Sequence, residues 1–194
     1  MSEKISITKQ VYKYTLNKIK FLQEIADTGV GRGMMANIRR GVGKYPGEIP
    51  ELWGLIFDTM PEELLGKNEA SPAEWAVYTA LTLYALHQQG NDKFMNVQDI
   101  SVGKAASMLV KNDEDEDRIR RRLGLVVTAT SPSDLAYHLR GIIQLLSREA
   151  IGIDYARLAR DLYLMNYEES SKAIKLAWGR DFYIRKKEDA NVKE

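Results

Sequence analysis

The sequence predicts an all-α fold of about eight or nine helices, and three observations carry that expectation. Apolar residues recur at helical spacing along nearly every segment. Serine and aspartate caps, twice with proline at the first helical position, stand at the heads of those segments. No stretch alternates apolar and polar residues as a half-buried strand would, and the one apolar candidate, "LGLVVTAT", continues the period of the helix before it. With 194 residues, 44% of them hydrophobic, the chain can build one substantial core or two small ones.

Taken in order, Tyr12, Leu16, Ile19, Leu22 and Ala26 form the first stripe, with Gly29 as its expected stop. Residues 32–40 fit a short helix whose Arg32 and Arg39, seven apart, share a face about 20° out of register while Met34 and Ile38 take the other. Gly41 would then cap it in a left-handed conformation, Gly43 would keep the next loop slim, and Pro50 would lead into the helix of Trp53. Ser71-Pro72-Ala73-Glu74 is a capping box that opens an apolar helix running to Gly90. Ser101 caps the next run. The acidic residues 113–117 place negative charge at the start of the helix that holds "RIRRRLG". Ser131-Pro132-Ser133-Asp134 opens "LAYHLRGIIQLLSREA", which Gly152 would close, and Asp154 caps "YARLARDLYLM". "EESSKAIKLAWGRDFYI" forms the last long helix. The expected division is an N-terminal helical portion, 1–100, a C-terminal helical bundle, 101–187, and a disordered tail, 188–194.

Charge and composition exclude several classes of function. The 28 lysines and arginines nearly cancel the 27 aspartates and glutamates, so any attraction for nucleic acid must come from a local patch. With no cysteine there is no disulfide framework, thiolate nucleophile or thiolate zinc site. The N-terminus lacks a signal-peptide core, and no apolar run approaches the roughly 20 residues of a membrane span. The expectation is a cytoplasmic protein with no membrane contact.

No catalytic constellation emerges. "GVGKY" and "SVGKA" suggest nucleotide loops, but Ile38 and Gln98 stand where the upstream glycine belongs, and Tyr45 and Ala105 where magnesium needs a hydroxyl. His87 and His138 have no metal-ligand partner at helical spacing. Serines 71, 101 and 131 are caps without a nucleophile elbow. The expectation is a protein that is not an enzyme and uses neither metal nor cofactor.

What remains is basic surface. On the helix after the acidic run, Ile119, Leu123, Val126 and Val127 gather on one side, and Arg118, Arg121 and Arg122 project from the other. These arginines can face a phosphate backbone, or pair internally as Glu114–Arg118 and Asp117–Arg121 at the i, i+4 spacing. Arg39 and Arg40 sit beside a slim glycine turn that would admit a backbone strand. Trp178, Arg180, Tyr183, Arg185, Lys186 and Lys187 offer a third group, whose tryptophan is more simply an anchor of the terminal helix.

The ordered set "ANIRRGVGKYPGEIPELWGLI", "ISVGKAASMLV", "RIRRRLGLVVTATSPSDLAYHLRGIIQLL", "IDYARLARDLYLM" and "WGRDFY" resembles the CasB family, the small subunit of the Cascade surveillance complex of type I-E CRISPR systems. The resemblance covers roughly residues 8–185. It implies a non-catalytic, all-helical subunit that associates head to tail with its own copies and contacts the crRNA-bound backbone subunits and the large subunit. It further implies that basic residues help hold crRNA-guided target DNA, including the displaced strand. The matching positions are Arg39, Arg40, Lys104, Arg118, Arg121 and Arg122, with Arg140 beside them. Two other readings stay open: a structural scaffold whose arginines contact neighbouring subunits, and a free-standing helical DNA-binding regulator.

Overall fold

A computed structural model describes residues 6–191, with side chains through Ile184. Among the described residues the chain forms nine α-helices and no strand. They are α1 (Ile7–Glu24), α2 (Gly29–Arg39), α3 (Trp53–Phe57), α4 (Pro72–Gln88), α5 (Val102–Met108), α6 (Asp113–Thr128), α7 (Pro132–Arg148), α8 (Tyr155–Leu164) and α9 (Glu168–Asn191). Short 3-10 turns, Pro50–Leu52 and Glu62–Leu64, flank α3. Residues 192–194 of the expected tail lie outside the described residues.

The capping serines act as their spacing predicts. Ser71 accepts from the Glu74 amide while the Glu74 carboxylate accepts from the Ser71 amide, closing the box at the head of α4. Ser101, Ser131 and Asp154 accept from the third amide of α5, α7 and α8. α4 has thirteen buried residues around its whole circumference, so it runs through the middle of the molecule. α2, α1, α7 and α8 pack around it, α6 lies outside α7, and α5 is clamped between α6 and α9. The C-terminal bundle thus reaches across the expected boundary: α8 packs on α1 as well as α4. One apolar core runs from Val11 to Phe182.

Several expected helix ends fall elsewhere. α1 stops at Glu24 and Gly29 begins α2, because Thr28 caps that helix by accepting from the Gly31 amide. α7 closes at Ala150, not at Gly152. The Ile151 amide bonds the Leu146 carbonyl, the Ala150 amide bonds that of Ser147, and Ala150 takes the left-handed φ of 50°. This is the Schellman arrangement with alanine in glycine's usual place. Gly152 instead lets the backbone press against residues 95–97. A Cβ there would collide with the Val97 side chain, where Val97 and Ile153 exchange backbone hydrogen bonds with the facing segment.

Candidate nucleic-acid interface

The Asn112 side chain caps α6, and Asp113, Glu114, Asp115 and Glu116 fill its first turn at the positive end of the helix dipole. Ile119, Leu123 and Val126 are buried, and α6 packs chiefly on α7. That packing turns Arg118, Arg121, Arg122 and Leu125, spaced 1-4-5-8, to the outside. α7 repeats the spacing with Tyr137, Arg140, Gly141 and Gln144, while Ala136, Leu139, Ile142, Ile143 and Leu146 go inward. The two outward stripes meet in a groove lined by Arg122, Leu125, Tyr137, His138, Arg140, Gly141 and Gln144. A second depression on α6, lined by Glu114, Asp117, Arg118 and Arg121, shares Arg122 and Leu125 with it. The surface is therefore continuous. A Cβ built on Gly141 would stand 3.4 Å from Arg122 Nη1, so the bare backbone of α7 lets that guanidinium lie close across the groove.

Pairing on α6 differs from the i, i+4 scheme expected from sequence. Arg118 binds Asp115 at 2.6 Å and Arg120 binds Asp117 at 2.9 Å, both at i, i+3. Both pairs follow from register, since residues three apart are neighbours on a helix surface just as residues four apart are. The Arg120 hydrogen bond and charge hold the Asp117 carboxyl below its usual range. Asp117 is hydrogen-bonded by Arg120 and feels Arg121 only through its charge, so Arg121 makes no close ion pair among the described residues, and neither do Arg122 and Arg140. Three exposed guanidinium groups so remain available to an external anion.

The remaining predicted cations lie on other elements. Arg39 ends α2 and Arg40 caps it, its Nη1 donating to Asn37 Oδ1 at 3.5 Å; α2 packs on α4 and the turn Pro50–Leu52. Lys104 is exposed on α5, where its amide donates to the Ser101 hydroxyl. Of the glycines that flank Arg39 and Arg40, Gly41 serves the protein's own packing. Gly41 is buried, and a Cβ on it would lie 2.5 Å from the Tyr78 hydroxyl. Positive φ falls instead at Gly43, at 79°, and at Gly47, at 99°. Gly41 is thus a close-contact residue against α4, where sequence reading expected a left-handed cap. In "SVGKA", Gly103 presses on the Trp178 backbone.

His87 is buried and shares a 2.8 Å hydrogen bond with the Tyr155 hydroxyl, while His138 sits 3.1 Å from Asp134. Trp178 is fully buried and donates from Nε1 to Asp161 Oδ2 at 2.9 Å, so it anchors α9. Among the described residues no group of three or more histidine, aspartate or glutamate side chains is placed to hold a metal, and no helix is long and apolar enough to cross a membrane.

Leu125, Tyr137, His138 and Gln144 line the groove, and sequence reading assigned none of them to a binding surface. A signal existed for one of them. Tyr137 lies three residues before Arg140, on the polar face of an otherwise regular amphipathic helix, where an apolar ring is out of place.

The family described as CRISPR-associated protein Cse2 matches residues 34–183. Among solved structures, CasB from Thermobifida fusca is 32% identical, aligns over 90% of this chain and 98% of its own, and superposes with a TM-score of 0.78. CasB from M. ruber, at 20% identity, aligns over 98% and 100% with a TM-score of 0.69. CasB from Thermus thermophilus, also at 20%, aligns over 92% and 99% with a TM-score of 0.66. These two show the shared fold. No match is found among curated proteins.

Proposed function

This chain belongs to the CRISPR-associated Cse2 family, also called CasB, and we propose that, as a non-catalytic subunit of a Cascade-type complex, it stabilises guide-directed binding of target DNA through its basic surface. The observation that carries this reading is the α6–α7 face. There Arg121, Arg122 and Arg140 stand exposed without a close ion pair among the described residues, and Arg122 and Arg140 line a groove, formed by the packing of α6 on α7, that no carboxylate lines. Guide pairing supplies sequence recognition, and exchanging a DNA duplex for a guide heteroduplex is nearly balanced in free energy. A few phosphate contacts then suffice to tip the balance, including contacts to the displaced strand. Arginine suits the task because its planar fork stays charged and takes phosphate oxygens in pairs. Arg118, tied to Asp115, is the weakest of the α6 group. Arg39, Arg40 and Lys104 would add phosphate contacts on other faces. The near-zero net charge suits a subunit that packs head to tail against its own copies and beside the backbone and large subunits.

The test is the assembled complex carrying Arg121→Ala, Arg122→Ala and Arg140→Ala together. Target retention should weaken, and the slope of log affinity against log salt should shrink by about 0.7–0.9 for each phosphate no longer neutralised. Size-exclusion chromatography before DNA is added should show the complex intact. Dissociation at that step would instead make these residues subunit contacts of a scaffold.

A further inference from the structure

Tyr137 is the most exposed aromatic ring among the described residues, at 70%, and it stands in the wall of the α6–α7 groove. We infer that this ring is a stacking platform for an unpaired base of a strand lying in the groove. The inference rests on the reading of this surface as a nucleic-acid interface that contacts the displaced strand, and adds the residue that holds a base there.

Tyr137 contributes nothing to the core, since α7 buries Ala136, Leu139 and Ile142 on its inner side. An aromatic ring held in water gains nothing for folding, yet it offers a flat apolar face to any partner that can cover it. Arg122 from α6 and Arg140, one turn beyond Tyr137, line the same groove. Gln144, a further turn along, supplies an amide that both donates and accepts, as base edges require. The neighbouring His138 ring lies edge-on to Tyr137, with centroids 5.3 Å apart, and is itself held 3.1 Å from Asp134. That neighbour supports the tyrosine from one side and leaves its remaining surface to solvent.

Charge decides where a strand can run. Glu114 and Asp117 line only the depression toward the start of α6, and they repel phosphate there. The groove itself is lined by Arg122 and Arg140 with no carboxylate. Cations beside an aromatic ring, away from carboxylates, make up the arrangement by which single strands are held without sequence preference. A duplex cannot use it fully. Its bases are already stacked on one another, so a duplex meets the arginines with its backbone and leaves the tyrosine face bare.

The experiment titrates the full-length chain at low salt against fluorescent oligodeoxythymidine carrying one 2-aminopurine, and against a duplex of equal length. Tyr137→Phe keeps the ring and should bind both probes as the unaltered chain does. Tyr137→Leu should weaken single-strand binding about tenfold, abolish the quenching of 2-aminopurine and leave duplex binding unchanged. Arg122→Ala with Arg140→Ala should weaken both probes and flatten the salt dependence of both. If Tyr137→Leu changes neither affinity nor quenching while the arginine pair still weakens binding, the groove holds backbone alone and the stacking role is refuted. If the arginine pair changes nothing, the underlying reading of this surface fails and the inference falls with it.

Discussion

His87 shows how a single buried group sets a condition on the whole fold. It is fully enclosed, bonded to the Tyr155 hydroxyl, and burial pushes its pKa down from 6.5 to about 4. Between those values the unfolded chain takes up a proton that the folded chain refuses, so acid favours unfolding. The stability is complete above pH 6.5 and declines as pH falls toward 4. By pH 5 the loss attributable to this residue should reach about 2 kcal/mol. Denaturant titrations at pH 7 and pH 5 check this, and His87→Asn should show a flatter dependence between them although it is less stable at pH 7. At the same scale, Ala150 shows a site where residue identity misleads. The nearby glycine looks like the helix stop, yet the Schellman hydrogen bonds force an alanine into the left-handed region and reserve Gly152 for a tight backbone approach.

Among elements, the pairing of α5 with α9 depends on one close contact. A Cβ on Gly103 would collide with the Trp178 carbonyl, so only glycine allows the helices to approach this far. Trp178 fills the space below and bonds Asp161, whose other oxygen takes Arg160 at 2.8 Å. Asp181 on α9 adds a bond from the Ser101 hydroxyl at 2.5 Å and an ion pair with Arg157 at 3.2 Å. Trp178→Ala should therefore cost about 3–5 kcal/mol, since it removes a large buried ring and leaves the buried Asp161 carboxylate short of a donor. Hydrogen exchange should then rise first in α5 and α9, while α1 and α4, which pack on α8, keep their protection.

Across the molecule, the N-terminal portion and the C-terminal bundle share one apolar core, because α8 packs on α1 and α4 and α7 packs on α4. A chain so connected should unfold in a single transition, with circular dichroism and tryptophan fluorescence giving the same midpoint. Two separated midpoints would mean that portions 1–100 and 101–187 hold together independently. The same architecture decides the candidate interface. α6 packs chiefly on α7 and then on α5, which leaves Arg118, Arg121, Arg122 and Leu125 exposed on its outer side.

The sequence by itself determined the all-α class, the capped starts of α4, α5, α7 and α8, the burial of Trp178, and the outward direction of Arg118, Arg121 and Arg122. All of these follow from local periodicity and from which side chains can satisfy the first amides of a helix. Only the tertiary structure decided that Arg122 and Arg140 face one groove, that Arg120 takes the Asp117 hydrogen bond, and that Tyr137 stands in the groove wall. It also decided that Gly41, Gly103 and Gly152 serve close packing. Those outcomes depend on where a second helix comes to lie, and helical periodicity fixes the direction of a side chain without naming what it will face.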